Sequence, residues 1–590
     1  MEHARRLDAR RAEQKQLEER DRRLSMARGV VAAIGFACLV VTASQPPAIA
    51  GLALAIVVFI GLVIAHERVA RRLARARGRV AFHENALARM RGEVVARRES
   101  GDRFLDPAHP FAIDLDLFGR SSLYERMCTA RTRAGQDRLA AWLQFPGSLA
   151  DLEERQIAVA EMGGRIDLRE DLSVLGAEAR HAVDSTALMA WAKAPRVAVP
   201  QRLRALSFAA SGIVVVSLSG WALGFWEALP FQFATIAVAL CNWFARGFSG
   251  AVLESLGKPV HDLQTLSEIF DRLGAERFDA SRLKHLHDSL NAGDEPPSRP
   301  IAQLGRWLET HESKSNVFFG ILSFFLVWDL QLAAAIEGWR GRHGARVSVW
   351  LDALGEIEAL ASVGGYAFEN PTDRFPQFAD VAETPCFHAE GLGHPLIPAA
   401  RAVRNDVRLD GSLQMLVITG SNMSGKSTLM RTVGINTVLA LAGAPVRATS
   451  LRLSPLAIGA SIRTQDSLQD GASKFFAEIK RVRQVLDIAN GPVPLLFLLD
   501  EIFDGTNSAE RRIGAEAVVH SLIQRRAIGL VTSHDLALAE IAVSLAPRAL
   551  NVHFEDHLEG DRMAFDYRIK PGPVTRGNAL GLMRAVGLEV

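Results

Sequence analysis

Two stretches near the N-terminus carry no charged residue, Gly29–Ala43 and Ala48–Ala65, and only the turn Ser44-Gln45-Pro46-Pro47 separates them. A soluble core seldom keeps a helical hairpin free of charge for so long. A bilayer demands it, and demands helices, because backbone polar groups find no water there. With Met26 and Ala27 joining the first run and Arg28 snorkelling to the interface, the spans cover about residues 26–43 and 48–65. Each is about 18 residues, near the lower end of what crosses hydrocarbon. Arg20, Arg22, Arg23 and Arg28 precede the pair, and Arg68, Arg71, Arg72, Arg75, Arg77 and Arg79 follow it. The positive-inside rule therefore predicts a hairpin in the inner (cytoplasmic) membrane with both ends in the cytoplasm. The long, acid-containing leader without a small-residue cleavage site argues against a signal peptide.

A second apolar pair, Leu206–Phe225 and Phe231–Phe244, repeats the pattern, with Arg202 and Arg204 before it and Arg246 and Lys258 after it. Its last run is short and contains Asn242. A fifth run, Val317–Leu332, contains Asp329. An odd number of crossings would leave everything downstream outside the membrane, so this run is expected to be a buried helix of a soluble domain.

A chain of 590 residues exceeds one core, and two to four domains are expected. Residues 1–100 hold the basic helices and the first hairpin. The charged stretches 1–28 and 66–100 are expected to be solvated faces. Residues 101–384 read as amphipathic helices interrupted by the second hairpin at about 206–244. From 385 to 590 short apolar runs alternate with helices, the pattern of a parallel α/β sheet. The net charge of +2 gives no support to a broad nucleic-acid surface. Cys38, Cys128, Cys241 and Cys386 lack metal or redox spacing and read as reduced.

Within the α/β region, the apolar run Met415-Leu416-Val417-Ile418 leads into Gly420-Ser421-Asn422-Met423-Ser424-Gly425-Lys426-Ser427-Thr428, a complete G-x-x-x-x-G-K-[ST] loop followed by a helical stretch. Such a loop turns backbone N–H groups toward phosphate oxygens. Lys426 is expected to reach the β- and γ-phosphates of ATP, and Ser427 to ligate Mg²⁺. Downstream, the strand Leu495–Leu499 ends in Asp500-Glu501. Asp500 is placed to hold Mg²⁺, and Glu501 to orient and polarise the attacking water. A third apolar run, Ala527–Thr532, ends in Ser533-His534-Asp535. His534 there can reach the γ-phosphate and sense hydrolysis. The expected chemistry is ATP hydrolysis, with Lys426, Glu501 and His534 in the catalytic roles.

These residues resemble the MutS family of DNA mismatch-repair ATPases. The family's loop reads T-G-x-N-M-x-G-K-S-T, and this chain has Thr419 through Thr428, with the Asn422-Met423 pair inside it. Asp500 through Ser508 is similar to the family's D-E-x-x-x-G-T-x-S segment, and Ser533-His534 to its Thr-His switch. Asp466–Glu478 resembles the loop whose serine, here Ser473, completes the ATP site of the other subunit in MutS dimers; Lys474 stands where the family usually has threonine. In the helical region, Thr132-Arg133-Ala134-Gly135, Glu358-Ala359-Leu360-Ala361-Ser362 and Gly393-His394-Pro395-Leu396 are similar to the start and end of the family's lever and the entry to its ATPase domain.

The resemblance implies a homodimer closed through the ATPase domains around ATP and Mg²⁺, with turnover coupled to mismatched or branched DNA. The chain also departs from the family. Membrane runs occupy the place of the mismatch-reading domain, and Phe82-His83-Glu84 fits that domain's Phe-x-Glu motif only by chance, in an Arg-rich helical stretch. The second hairpin stands where the DNA clamp would fall. The adenine-stacking aromatic before the loop is replaced near Ala402. These departures raise an alternative: a membrane mechanochemical ATPase acting on a protein or membrane partner without DNA.

Overall fold

A computed structural model describes residues 2–41, 48–93, 99–178, 185–198, 201–255, 260–312, 317–379, 384–421, 424–462, 474–503, 506–534, 536–559 and 562–574. The chain divides into two compact units. The first comprises residues 1–87, 129–137 and 165–359, the second residues 88–128, 138–164 and 360–590.

The first unit is helical. Its first helix, Glu2–Val41, joins a charged arm to an apolar one without interruption, and Ala48–Arg91 does the reverse. The charged arms are not the solvated faces expected. Arg10 donates to the buried carboxylate of Glu170 at 2.8 and 3.0 Å, Arg75 pairs with Glu268 at 2.5 Å, and Leu17, Leu73 and Ala76 form a small apolar cluster. Charge counts alone could not show that the complementary acids come from a distant stretch of sequence. Phe82 and His83 are buried within this packing, and Glu84 pairs with Arg11 at 2.7 Å.

Among the described residues, four helices are long and apolar enough to cross a membrane: Glu2–Val41, the helix over residues 49–91, Gln201–Ala222 and Leu229–Ser255. Ile34, Phe36, Val57 and Ile60 of the first pair are exposed. The second pair packs through small residues, with Ala210, Ala234, Cys241 and Ala245 buried in one cluster. Ile213, Phe233 and Trp243 point outward. The fifth apolar run departs from expectation. It breaks into a helix Val317–Phe325 and a helix Trp328–Glu369 bent 76° from it, and Ile321 and Leu322 are exposed. Val327 in the break takes a left-handed φ of +46°. Apolar composition sets no boundary inside such a run, so the break is invisible in the sequence.

Two of the segments similar to the lever meet in this unit. The Glu358 carboxylate accepts from the Arg131 N–H at 3.0 Å, from the Thr132 N–H at 3.3 Å and from the Thr132 hydroxyl. Burial pushes this carboxyl above its usual pKa range, and the three donors oppose that shift.

The second unit carries the sheets. In chain order the strands are β1 Gln377–Phe378, β2 Phe387–Leu392, β3 Asn405–Leu409, β4 Met415–Thr419, β5 Ser450–Leu453, β6 Ala457–Ser461, β7 Leu495–Leu499, β8 Ile528–Ser533, β9 Ala549–His553, β10 Asp556–Glu559, β11 Arg562–Phe565 and β12 Lys570–Pro571. The main sheet has the order β12-β9-β4-β8-β7-β6; all neighbours are parallel except β12, which runs antiparallel to β9. β4, β7 and β8 are buried along their whole length, as befits a parallel sheet covered on both faces. A smaller mixed sheet runs β1-β5-β2-β3, and β10-β11 form a hairpin. The chain is thus mostly helical over its N-terminal region and α/β in its C-terminal domain.

The Glu358 contact yields a stability prediction. Glu358→Ala would take the acceptor from the buried Thr132 N–H and hydroxyl and from the part-buried Arg131 N–H, and should lower stability by about 2 kcal/mol in denaturant unfolding of the solubilised protein. A loss below about 0.5 kcal/mol, the range of an ordinary surface change, would show that those donors find other acceptors.

Candidate functional site

The parallel register determines where the site lies. Thr419 of β4 pairs with Ser533 of β8, and Leu499 of β7 pairs with Val531 of β8. The segments that follow β4, β7 and β8 therefore leave the sheet at one edge, at the carboxyl ends of the strands, where open α/β sheets bind ligands.

After β4 the chain turns through Gly420, Ser421, Ser424 and Gly425 into the helix Lys426–Leu441. Asn422 and Met423 lie outside the described residues. Gly420 has φ +147°, and a Cβ there would come within 3.0 Å of the Phe554 carbonyl oxygen. Gly425 caps the helix with φ +108°. Both positions favour glycine. The helix's first amides have no intrahelical acceptor and face the loop with the positive end of the dipole. Lys426 is buried, and its Nζ donates to the carbonyls of Gly420 at 2.7 Å and Ser421 at 3.1 Å. Burial pulls the lysine pKa down, and the Glu501 and Asp500 carboxylates pull it back. The hydroxyl oxygens of Ser421 and Ser424 are buried with no hydrogen-bond partner among the described residues. Ser427 is half-buried and Thr428 exposed in the helix's first turn.

Asp500 and Glu501 follow β7. Thr532 of β8 ties them together: its hydroxyl donates to the Asp500 carboxylate and accepts from the Glu501 N–H at 3.1 Å. Glu501 holds a left-handed φ of +46°, a conformation that costs a non-glycine residue about 1–2 kcal/mol. Its carboxylate lies 3.8 Å from Lys426 Nζ and 3.6 Å from His534 Nδ1. Arg511 Nη1 lies 3.5 Å from His534 Nε2, while the same guanidinium donates to the carbonyls of Phe503 and Thr506. Lys426, Asp500, Glu501 and His534 thus converge. Ser473, with Asp466 and Gly471 of its loop, lies outside the described residues.

A cavity of about 260 Å³ adjoins the loop, lined among others by His394, Val403, Asn405, Thr428, Phe554 and Tyr567. The Tyr567 ring lies over Gly425, where an added Cβ would come within 3.1 Å of it. Asn405 fixes that segment, donating to the Tyr567 carbonyl at 3.0 Å and accepting from the Ile569 N–H at 2.9 Å. Burial, reinforced by Arg431 and Arg447, pulls the His394 pKa to about 4, so this imidazole is neutral at neutral pH.

Residues 416–588 match the family model described as MutS domain V. Over this span the chain is similar to the MutS family. The matched span holds every described site residue that the spacing predicted. It also contains four neighbours that motif reading passed over: Arg511, Thr532, Phe554 and Tyr567. In the MutS domain these are contributed by elements whose own sequences carry no motif. Thr532 sits in an apolar strand, and Tyr567 follows a hairpin far downstream of the loop.

The Thr532 bridge can be tested directly. Thr532→Val keeps the shape of the strand residue but removes the hydroxyl that Glu501 and Asp500 share. It should cost about 1–3 kcal/mol of stability, and Thr532→Ser should restore most of it. Equal thermal unfolding of the valine variant and the parent would show that the hydroxyl orders neither residue.

Proposed function

We propose that this chain is a membrane-anchored, MutS-type ATPase that binds ATP with Mg²⁺ and hydrolyses it. The observation that carries the reading is the convergence of Lys426, Asp500, Glu501 and His534 on one sheet edge beside a helix N-terminus. The residues present fit the phosphates: a buried cation, orphaned Ser421 and Ser424 hydroxyls and unpaired helix amides form a cradle for an anion. Ser427 and Asp500 would hold Mg²⁺, which supplies charge neutralisation at the β- and γ-phosphate oxygens. Lys426 would shift from the loop carbonyls to those oxygens. Glu501 would orient a water in line with the γ-phosphorus and take its proton as the new P–O bond forms and the bond to the ADP oxygen breaks. His534, beside Glu501, would register the loss of the γ-phosphate. The cavity under Tyr567 and Phe554 would take the base, and their rings would offer the aromatic faces that the local sequence around Ala402 lacks.

The proposal includes a homodimer closed across the ATPase domains, with Ser473 acting on the partner's nucleotide, and an anchor of four membrane helices that keeps the ATPase in the cytoplasm. The similarity to MutS domain V supports coupling to mismatched or branched DNA. The buried position of Phe82 and the apolar helices favour a second reading, in which turnover moves a membrane or protein partner without DNA. ATPase turnover of the solubilised protein with duplex, mismatched and branched DNA separates the two. Stimulation, with binding that weakens as salt rises, supports DNA coupling. Unchanged turnover and no binding to any form leaves the second reading.

The site assignment predicts different outcomes for two variants. Lys426→Ala should abolish both nucleotide binding and turnover. Glu501→Gln should bind ATP about as tightly as the parent while hydrolysis falls by roughly 10²-fold or more, the scale of a positioned general base. Parental turnover in Glu501→Gln would remove Glu501 from the mechanism.

A further inference from the structure

The apolar run that breaks in two has a geometry that neither a span nor a buried soluble helix explains. The helix Ser298–Glu312 ends beside the start of Trp328–Glu369: His311 Nδ1 lies 3.5 Å from Asp329 Oδ1. Between these two contacting residues the chain carries the helix Val317–Phe325, Val-Phe-Phe-Gly-Ile-Leu-Ser-Phe-Phe, whose sequence holds no charge. At 1.5 Å per residue this helix is about 14 Å long, roughly half the thickness of a hydrocarbon core. Phe319 packs across the break on Trp328, with ring centroids 6.2 Å apart.

The break itself is sealed with polar side chains from the second apolar hairpin. Ser211 Oγ, in Gln201–Ala222, lies 2.8 Å from the Phe325 carbonyl oxygen and 2.9 Å from that of Ser207, so its one proton is shared between them. Asn242 Nδ2, in Leu229–Ser255, donates to the Phe324 carbonyl at 3.0 Å, alongside the Val327 N–H of the turn. In water such carbonyls need no dedicated donors. In hydrocarbon, non-helical backbone persists only where protein groups satisfy it. Both donors lie on helices long and apolar enough to cross a membrane. Meanwhile Ile321 and Leu322, on the outer face, stand more than half exposed.

We propose that residues 317–327 form a segment embedded in the cytoplasmic leaflet without crossing it, held against the second hairpin at its bend Leu326-Val327 and covered on its outer face by lipid acyl chains. The inference rests on the membrane reading proposed above. It preserves the even number of crossings that keeps the ATPase in the cytoplasm, and it gives Asn242 and Ser211 a role as the donors that seal the turn.

The test uses the full chain with its four cysteines replaced, carrying single new cysteines. Spin labels at Leu322 and at Ile213, an outward residue of the second hairpin, are read in liposomes for collision with oxygen and with a water-soluble nickel chelate. Leu322→Cys should match Ile213→Cys, with an oxygen-to-nickel ratio several-fold above that of Arg342→Cys. In sealed inverted vesicles, an impermeant thiol reagent should modify both Arg306→Cys and Arg342→Cys. Nickel access at Leu322 with Ile213 in lipid would overturn the embedded segment alone, as would exclusion of both reagents at Leu322, the mark of a covering protein or second copy. Modification of only one of Arg306→Cys and Arg342→Cys would mean a full span and would also overturn it. Nickel access at Ile213 would overturn the membrane reading and this inference together.

Discussion

The register between β4, β8 and β7 is the constraint on which the candidate site depends. Strands buried on both faces have no water to satisfy their amides, so each must pair along its length, and a slip of one residue would exchange every inward side chain for an outward one. With the register fixed at Thr419 against Ser533 and Leu499 against Val531, the three strand ends have one relative placement. Leu495, Phe497 and Leu499 on β7 join Met415, Val417 and Val531 in one apolar cluster under the helices that flank the sheet. Each such side chain contributes about 1.5–3 kcal/mol on burial. The core thereby holds the polar ends in place, and the short distances around Glu501 are a consequence of apolar packing several residues away.

Much of this was legible in the sequence because it is local. The run Met415–Thr419 before the loop, Leu495–Leu499 before Asp500-Glu501, and the run ending at Ser533 before His534 all form the strands that their composition predicted. The loop glycines declared a conformation that only glycine holds easily. What stayed hidden is non-local. Tyr567 reaches the cavity because Asn405 clasps its backbone from another strand, and no spacing rule connects those two positions. Thr532 looked like one more β-branched residue in an apolar strand. The partners of the charged arms were likewise unreadable, since Glu170 and Glu268 lie far from Arg10 and Arg75 in sequence.

The membrane-like part of the chain shows the same limit from the other side. In the sequence Asn242 weakens the case for a span, because an amide in hydrocarbon is costly. In the structure its Nδ2 donates to the carbonyls of Val238 and Phe324. The polar atom is accounted for by a break that hydropathy does not reveal. An apolar pattern reports the solvent a segment tolerates; it does not report where the backbone stops being helical.

Thr532 has one more consequence. It lies in a fully buried parallel strand, where a β-branched side chain packs best, and its hydroxyl donates a hydrogen bond to Asp500 while accepting one from the Glu501 N–H. The result is two adjacent acidic residues held in different ways. The Asp500 carboxylate accepts directly from the hydroxyl, whereas Glu501 is held through its backbone N–H, with its carboxylate near both Lys426 and His534. Both constraints arise from a single oxygen atom, and the sheet and the site make compatible demands on the same position.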